Sequence, residues 1–209
     1  MQPSHHDEPH QVDLFDASDM PSIAAALPDG MTYAEAFLGL AEASELLLAL
    51  ADLRLQSAEY KGYVARRQVI GYGFEPGAEP TQPVRPLPAP LQALRNRVAD
   101  WMGLPHQALV HTLVSRYDPG TPLGWHRDMP AFEEVAGVSL GGPAVMRLRP
   151  HRPHEPAARS AVLKLPLAPR SIYRLSGPAR WAWQHSIVPT PGLRWSVTFR
   201  TAARTRRAP

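Results

Sequence analysis

His126 and Asp128 stand two apart in Trp125-His126-Arg127-Asp128, and a further imidazole, His185, lies far downstream. On an extended segment alternate side chains share a face, so this imidazole and this carboxylate point the same way. A third imidazole from a distant strand would complete a two-histidine, one-carboxylate set. Such a set caps one face of an octahedral metal ion and leaves the other positions open, which suits non-haem Fe(II) oxygen chemistry. The spacing alone leaves open a solvated loop pair, because His-x-Asp recurs by chance and the chain holds nine histidines.

A second constellation lies in Arg194-Trp195-Ser196-Val197-Thr198-Phe199-Arg200, which alternates polar and apolar residues as a half-buried strand does. Arg194, Ser196, Thr198 and Arg200 fall on one face, and Trp195, Val197 and Phe199 on the other. Six residues of strand span roughly 20 Å, and each guanidinium reaches inward. The gap between them therefore matches a short dicarboxylate, which arginine grips bidentately without losing its charge. Taken by itself, the same pattern also describes an edge strand with two solvated arginines.

Four motifs in one order carry a family resemblance. Gly71-Tyr72-Gly73-Phe74-Glu75-Pro76 comes first, followed by Arg116-Tyr117-Asp118-Pro119-Gly120. His126-x-Asp128 with His185 is next, and Arg194-Trp-Ser-Val-Thr-Phe-Arg200 closes the series. Together, over roughly residues 60–202, they resemble the AlkB family of Fe(II)- and 2-oxoglutarate-dependent dioxygenases. The resemblance implies that His126, Asp128 and His185 ligate Fe(II). It implies that Tyr117 hydrogen-bonds 2-oxoglutarate, that Arg194 pairs with its distal carboxylate, and that Arg200 lies near the metal end. Ser115 and Ser196 stand where many members carry asparagine and would hold the co-substrate through shorter donors. Pro130 stands where an acidic residue commonly follows the metal aspartate, and no aromatic platform stands near Ala65. The cofactor machinery thus looks intact while the base-reading machinery looks altered. Tyr72 and Phe74 are the expected neighbours of a substrate base.

Composition narrows the class. A chain of 209 residues with 44% hydrophobic content is enough for one domain with its own core. No apolar run approaches the roughly 18 residues that a membrane span needs. The N-terminal residues His5, His6, Asp7 and Glu8 lack a basic-then-apolar leader. Cysteine is absent, which excludes disulfides, thiol catalysis and cysteine-ligated metal. A cytoplasmic monomer without membrane contact is the expectation. Of the 22 basic residues only Lys61 and Lys164 are lysine. The arginines cluster after position 145 (Arg147, Arg149, Arg152, Arg159) and again at Arg204, Arg206 and Arg207. That asymmetry suits either a nucleic-acid partner or a plain solvated basic surface.

Several elements must position these groups. Residues 1–20 read as a disordered lead, 21–105 as a helical and strand extension that includes the substrate-side segment, 106–203 as the catalytic core, and 204–209 as a basic tail. Helical spacing from Thr32 to Ala51, with a capping-box shape at Thr32-Tyr33-Ala34-Glu35, predicts a first helix. Arg66–Tyr72 reads as a strand, residues 75–90 as a stiff Pro-rich loop, and Leu91–Met102 as a helix that stops at Gly103. Eight short strands follow: Leu109–Tyr117, Gly124–Asp128, Val135–Leu140, Ala144–Arg149, Ala161–Leu165, Ser171–Leu175, Trp181–Val188 and Arg194–Ala202. The expected fold is mainly β with flanking helices (α+β): a double-stranded β-helix, or jelly roll, with N-terminal helices packed outside and a metal held at its mouth.

The resemblance implies that dioxygen and 2-oxoglutarate are consumed to oxidise a C–H bond, here an N-alkyl group on a nucleic-acid base. The same oxidation of a protein or small molecule is the alternative, and a non-catalytic metal-binding module the third reading. His111 shares a face with Leu113, Ser115 and Tyr117 and reads as a hydrogen-bonded core histidine. No nucleophile-elbow or phosphate-cradling glycine motif occurs.

Overall fold

The computed structural model describes residues 27–60, 63–74, 76–77, 85–151 and 161–203. The expected lead at 1–20, the tail at 204–209 and most of the Pro-rich loop lie outside them. In chain order the elements are β1 (Met31–Ala34), α1 (Leu40–Ala51), β2 (Gln56–Tyr60), β3 (Tyr63–Gly73) and α2 (Ala89–Met102). A short 3-10 turn, His106–Ala108, leads into β4 (Leu109–Tyr117), β5 (Leu123–His126), β6 (Phe132–Gly141) and β7 (Ala144–Pro150). The rest are β8 (Leu163–Leu167), β9 (Ile172–Leu175), α3 (Gly177–Trp181), β10 (Trp183–Ile187) and β11 (Arg194–Ala202).

The strands form two antiparallel sheets. The larger runs β1-β9-β6-β11-β4-β3-β2 and the smaller β5-β10-β7-β8. This is the expected jelly roll, and the strands ahead of residue 105 are built into its larger sheet rather than standing apart. No described helix is long and apolar enough to cross a membrane.

Period-2 alternation gives each sheet face its own partner. Trp195, Val197 and Phe199 of β11 turn outward, with Val114 of β4 and Val138 of β6, onto Leu46 and Leu50 of α1 and Leu94 and Val98 of α2. α2 ends at Gly103, whose left-handed φ of 69° closes the last turn. Between the sheets lies a second apolar cluster, including Met146, Leu148, Leu165, Leu167 and Ile187. The cavity is the polar end of that inter-sheet space. Arginines tie the layers together: Arg174 pairs with Glu134 at 2.7 Å and donates to the Met102 carbonyl at 3.2 Å, joining the sheet to the end of α2.

The first helix begins later than its spacing suggests. Met31–Ala34 is strand β1, paired with β9 so that Thr32 faces Arg174 and Tyr33 faces Tyr173. Ala36 at φ 51° then breaks the chain direction before α1. The capping-box pattern is overridden because pairing with a distant strand satisfies the same backbone groups. β2 is an addition, a polar edge strand that among the described strands pairs with β3 alone. Trp181 ends the short helix α3 instead of opening β10.

The helix-to-sheet layer carries a checkable load. Leu94 is 2% exposed within that cluster, so Leu94→Ala is expected to lower stability by about 3 kcal/mol. Urea unfolding followed by circular dichroism measures this, and a loss below about 1 kcal/mol would contradict the packing described.

Candidate metal centre and co-substrate cavity

β5 and β10 are neighbours in the smaller sheet, and His126 and His185 stand directly opposite in their register. Their ring centroids are 4.2 Å apart. Asp128 lies two residues beyond the end of β5, on a loop that needs its own support. Arg180 of α3, 2% exposed, supplies it. One of its nitrogens, Nη2, donates to the carbonyls of Asp128, Met129 and Phe132 at 3.2, 2.7 and 2.8 Å. Its guanidinium therefore holds the turn that aims the carboxylate.

One donor atom from each of His126, Asp128 and His185 lies within 4.8 Å of the other two. His126 Nδ1 is 2.9 Å from the Gly124 carbonyl, which makes that nitrogen the protonated one and leaves Nε2 with a free lone pair. Asp128 Oδ1 receives Arg200 Nη2 at 2.9 Å and Nε at 3.1 Å, while Oδ2 lies 3.7 Å from His185 Nε2. Burial alone would raise the Asp128 pKa. Arg200, then His185, His126 and Arg180, outweigh burial and hold the carboxyl below the usual carboxylate range. Burial, reinforced by His126, pushes His185 down to about 3, and burial also lowers His126. A fixed carboxylate and two neutral imidazoles converging on one point can hold a divalent metal ion.

The cavity runs from this cluster along the inner face of β11. Ser115, Tyr117, Arg194, Ser196, Thr198 and Arg200 all line it, as the alternation in β4 and β11 requires. Arg194 stands at the far end from Asp128 and is 1% exposed. Its Nε donates to Ser139 Oγ at 3.0 Å and its guanidinium lies 4.9 Å from the Tyr117 ring centre. Its Nη1 is buried and has no hydrogen-bond partner among the described residues. A guanidinium held out of water with an idle donor is costly unless an anion meets it. The cavity therefore offers metal-binding donors at one end and an unpaired cationic donor at the other.

The two expected substrate residues part company. Tyr72 pairs with Thr112 on the outer face of the larger sheet, is 4% exposed and packs in the helix-side core. It is not brought to the cavity, because β3 presents Arg67 there instead. Phe74 follows Gly73, whose φ of 85° turns the chain off the strand. It is 48% exposed and meets Phe132 edge-on at 6.2 Å, and Phe132 in turn lies 5.0 Å from His111 at the metal end. His111 is a buried histidine whose Nδ1 lies 3.2 Å from Arg200 Nη1. Sequence reasoning missed Arg67, Tyr173 and Arg180. None sits in a chemically telling pattern, and each reaches the site through a partner strand or loop distant in sequence.

A family model described as the 2OG-Fe(II) oxygenase superfamily matches residues 66–200. The human DNA oxidative demethylase ALKBH2 is 28% identical over 191 residues, which cover 81% of this chain and 72% of that protein. The tRNA (carboxymethyluridine(34)-5-O)-methyltransferase alkbh8 of Xenopus tropicalis is 29% identical over 176 residues, covering 80% of this chain but 26% of that protein. An alkylated DNA repair protein ALKBH8 homolog of Arabidopsis thaliana is 30% identical, with 77% of this chain and 49% of that protein covered. This chain thus spans half or less of the two ALKBH8-type relatives. Among solved structures, OsALKBH1 superimposes with a TM-score of 0.63 at 17% identity, over 84% of this chain and 99% of that one. A Burkholderia pseudomallei oxidoreductase of the 2OG-Fe(II) oxygenase family gives a TM-score of 0.57 at 16% identity, over 85% and 89% of the two chains. Both likenesses concern the fold.

The buried imidazoles make stability of the metal-free protein depend on pH. Burial and Arg200 push His111 down to about 4, below the ordinary value of 6.5. The folded state then binds that proton less readily than the unfolded chain, so the stabilisation is present above about pH 6.5 and is lost as pH falls toward 4. Urea unfolding of chelator-treated protein is expected to show a loss of about 2 kcal/mol from His111 alone between pH 7 and pH 5. Equal stability at the two values would show that these rings are solvated.

Proposed function

The chain belongs to the 2OG-Fe(II) oxygenase superfamily and is a dioxygenase that uses Fe(II) and 2-oxoglutarate, and from that premise we propose that it oxidatively dealkylates N-alkylated bases in nucleic acid. The observation that carries the reading is the pairing, in one cavity, of the His126, Asp128 and His185 donors with the idle Arg194 Nη1. Both cofactors suit the residues present. Two imidazoles and a carboxylate are the donor set of a non-haem Fe(II) site with open positions. A buried guanidinium some way off suits the distal carboxylate of a dicarboxylic keto-acid.

In this reading His126, Asp128 and His185 hold the iron. Arg194 grips the distal carboxylate, with Tyr117, Ser115 and Ser196 lining the co-substrate's path. Arg200 neutralises Asp128 and fixes its orientation, so that Oδ2 stays turned toward His185. When bound, Fe(II) with 2-oxoglutarate and dioxygen supplies C–H oxidation coupled to release of succinate and carbon dioxide. An N-methyl carbon so hydroxylated leaves as formaldehyde and restores the base. Helices and sheet exclude water from the Arg194 end, which strengthens every charge contact there.

The nucleic-acid substrate is favoured by the relatives whose names specify DNA demethylation, DNA repair and tRNA modification. It is favoured also by the apolar rim at the metal end. There Phe74 is 48% and Met129 52% exposed, both well placed to flank a base swung out of its stack. A second reading, the same oxidation on a protein or small molecule, draws on Pro130, which offers no carboxylate to a base just after Asp128.

Single-stranded oligonucleotides bearing N-methylated adenine or cytosine test the substrate. Formaldehyde is expected in step with succinate, and both are expected to vanish in His126→Ala. Succinate formed without formaldehyde would overturn the nucleic-acid reading in favour of the second. Separately, Arg194→Ala is expected to weaken 2-oxoglutarate binding by at least about tenfold while Fe(II) binding stays near wild type. Unchanged co-substrate affinity would remove Arg194 from that role.

A further inference from the structure

Tyr173 of β9 lines the cavity, yet none of the roles above involves it. It stands opposite Gly137 of β6 in the sheet register. A β-carbon added to Gly137 would overlap the ring and hydroxyl of Tyr173. The phenol therefore lies flat across the Gly137 backbone, which admits it only because glycine has no side chain. The residue is 6% exposed and turns its phenol to the cavity.

The position of that hydroxyl is informative. Gly137 and Ser139 are two apart on β6 and so share its cavity face. Ser139 Oγ receives Arg194 Nε at 3.0 Å, which brings the guanidinium back along the strand toward Gly137. The Tyr173 hydroxyl and the idle Nη1 of Arg194 thus belong to one cavity, with Ser139 between their positions on β6. Burial, and then Asp128, raises the pKa of the hydroxyl against the lowering pull of Arg194 and Arg200, so it stays protonated and able to donate. A tyrosine hydroxyl that faces an enclosed cavity usually finds a hydrogen-bond partner there.

We propose that Tyr173 is a positioning residue for the dicarboxylate co-substrate: its ring, laid over Gly137, floors the cavity, and its hydroxyl donates a hydrogen bond to the carboxylate that Arg194 grips. This inference rests on the assignment of Arg194 to the distal carboxylate. This added donor fixes the rotation of that carboxylate, which a guanidinium alone leaves undetermined. It therefore also sets where the keto-acid end meets the iron. Gly137 is part of the device, since any larger residue there would lift the ring.

The experiment is an anaerobic titration of the Fe(II)-loaded protein with 2-oxoglutarate, read by the visible metal-to-ligand absorption band. Wild type, Tyr173→Phe, Gly137→Ala and Arg194→Ala are compared, each with its melting temperature and Fe(II) affinity. Tyr173→Phe keeps the ring and loses only the hydroxyl. It is expected to need about tenfold more 2-oxoglutarate for half saturation, with melting temperature and Fe(II) affinity unchanged. In turnover it is expected to raise KM for 2-oxoglutarate more than it lowers kcat. Gly137→Ala is expected to weaken binding in the same direction. Wild-type affinity in Tyr173→Phe, beside weakened affinity in Arg194→Ala, would overturn this inference and leave the co-substrate assignment standing. Wild-type affinity in both would overturn the assignment on which it rests. A lowered melting temperature or lost iron in Tyr173→Phe would make Tyr173 a packing residue and also overturn the inference.

Discussion

A carboxylate withdrawn from water must be compensated on the spot, and most of this molecule's polar architecture follows from doing so at Asp128. Arg200 meets it with two nitrogens and Arg180 fixes the backbone beneath it. The uncompensated side of the group is left facing His185. A carboxylate so constrained cannot turn away to find water and stays ionised. Two buried guanidiniums, Arg194 and Arg200, line the cavity with this one acid, and a third, Arg180, lies against the backbone beneath it. The excess is positive, and a positive cavity favours an anionic occupant.

How much of this was written in the chain depends on whether a residue's neighbours are near in sequence. β11 was legible in full because its alternation is local, and the observed strand starts and ends at the expected residues. β4 was likewise legible over Leu109–Tyr117. The convergence of His126, Asp128 and His185 followed from residue type and spacing together with the family resemblance. What escaped was set by pairing. Met31–Ala34 becomes a strand only because β9 lies beside it, and nothing in its own composition says so. Tyr72 faces the helices because Gly71, not Tyr72, is level with Leu113 across the β3–β4 ladder. That parity is fixed by a register that sequence alone does not state. Phe74 escapes the parity through the turn at Gly73. Tyr173 acquires its place from Gly137, which precedes it by three strands' worth of chain.

The arginine-rich composition takes on a structural sense once the contacts are seen. Arg97 reaches the carbonyl of Phe37, Arg170 that of Leu38, and Arg174 that of Met102. Each spans from one layer to another and satisfies a carbonyl at the end of a segment. A forked, permanently charged donor does this better than an ammonium on a flexible stem. Arg147 and Arg149 behave differently. They lie 5.0 and 4.3 Å from the ring of Trp125 on the outer face of the smaller sheet, with Nε atoms bonded to Ser186 and Gln184. Among the described residues, the arginines therefore divide into internal struts and an outer ladder.

β11 is the eleventh strand in order of synthesis among those described, yet it sits fourth of seven in the larger sheet, between β6 and β4. Until it threads into that slot the sheet is two separate halves, with no floor for the cavity and no counter-charge for Asp128. Long-range closure of this kind is slow. An emerging polypeptide can consequently gather its histidines well before it can tame them. A nascent chain that captured iron at that stage would still lack both Arg194 and Arg200. Placing both arginines on the final insertion makes competence and completeness a single event, so that immature copies stay inert.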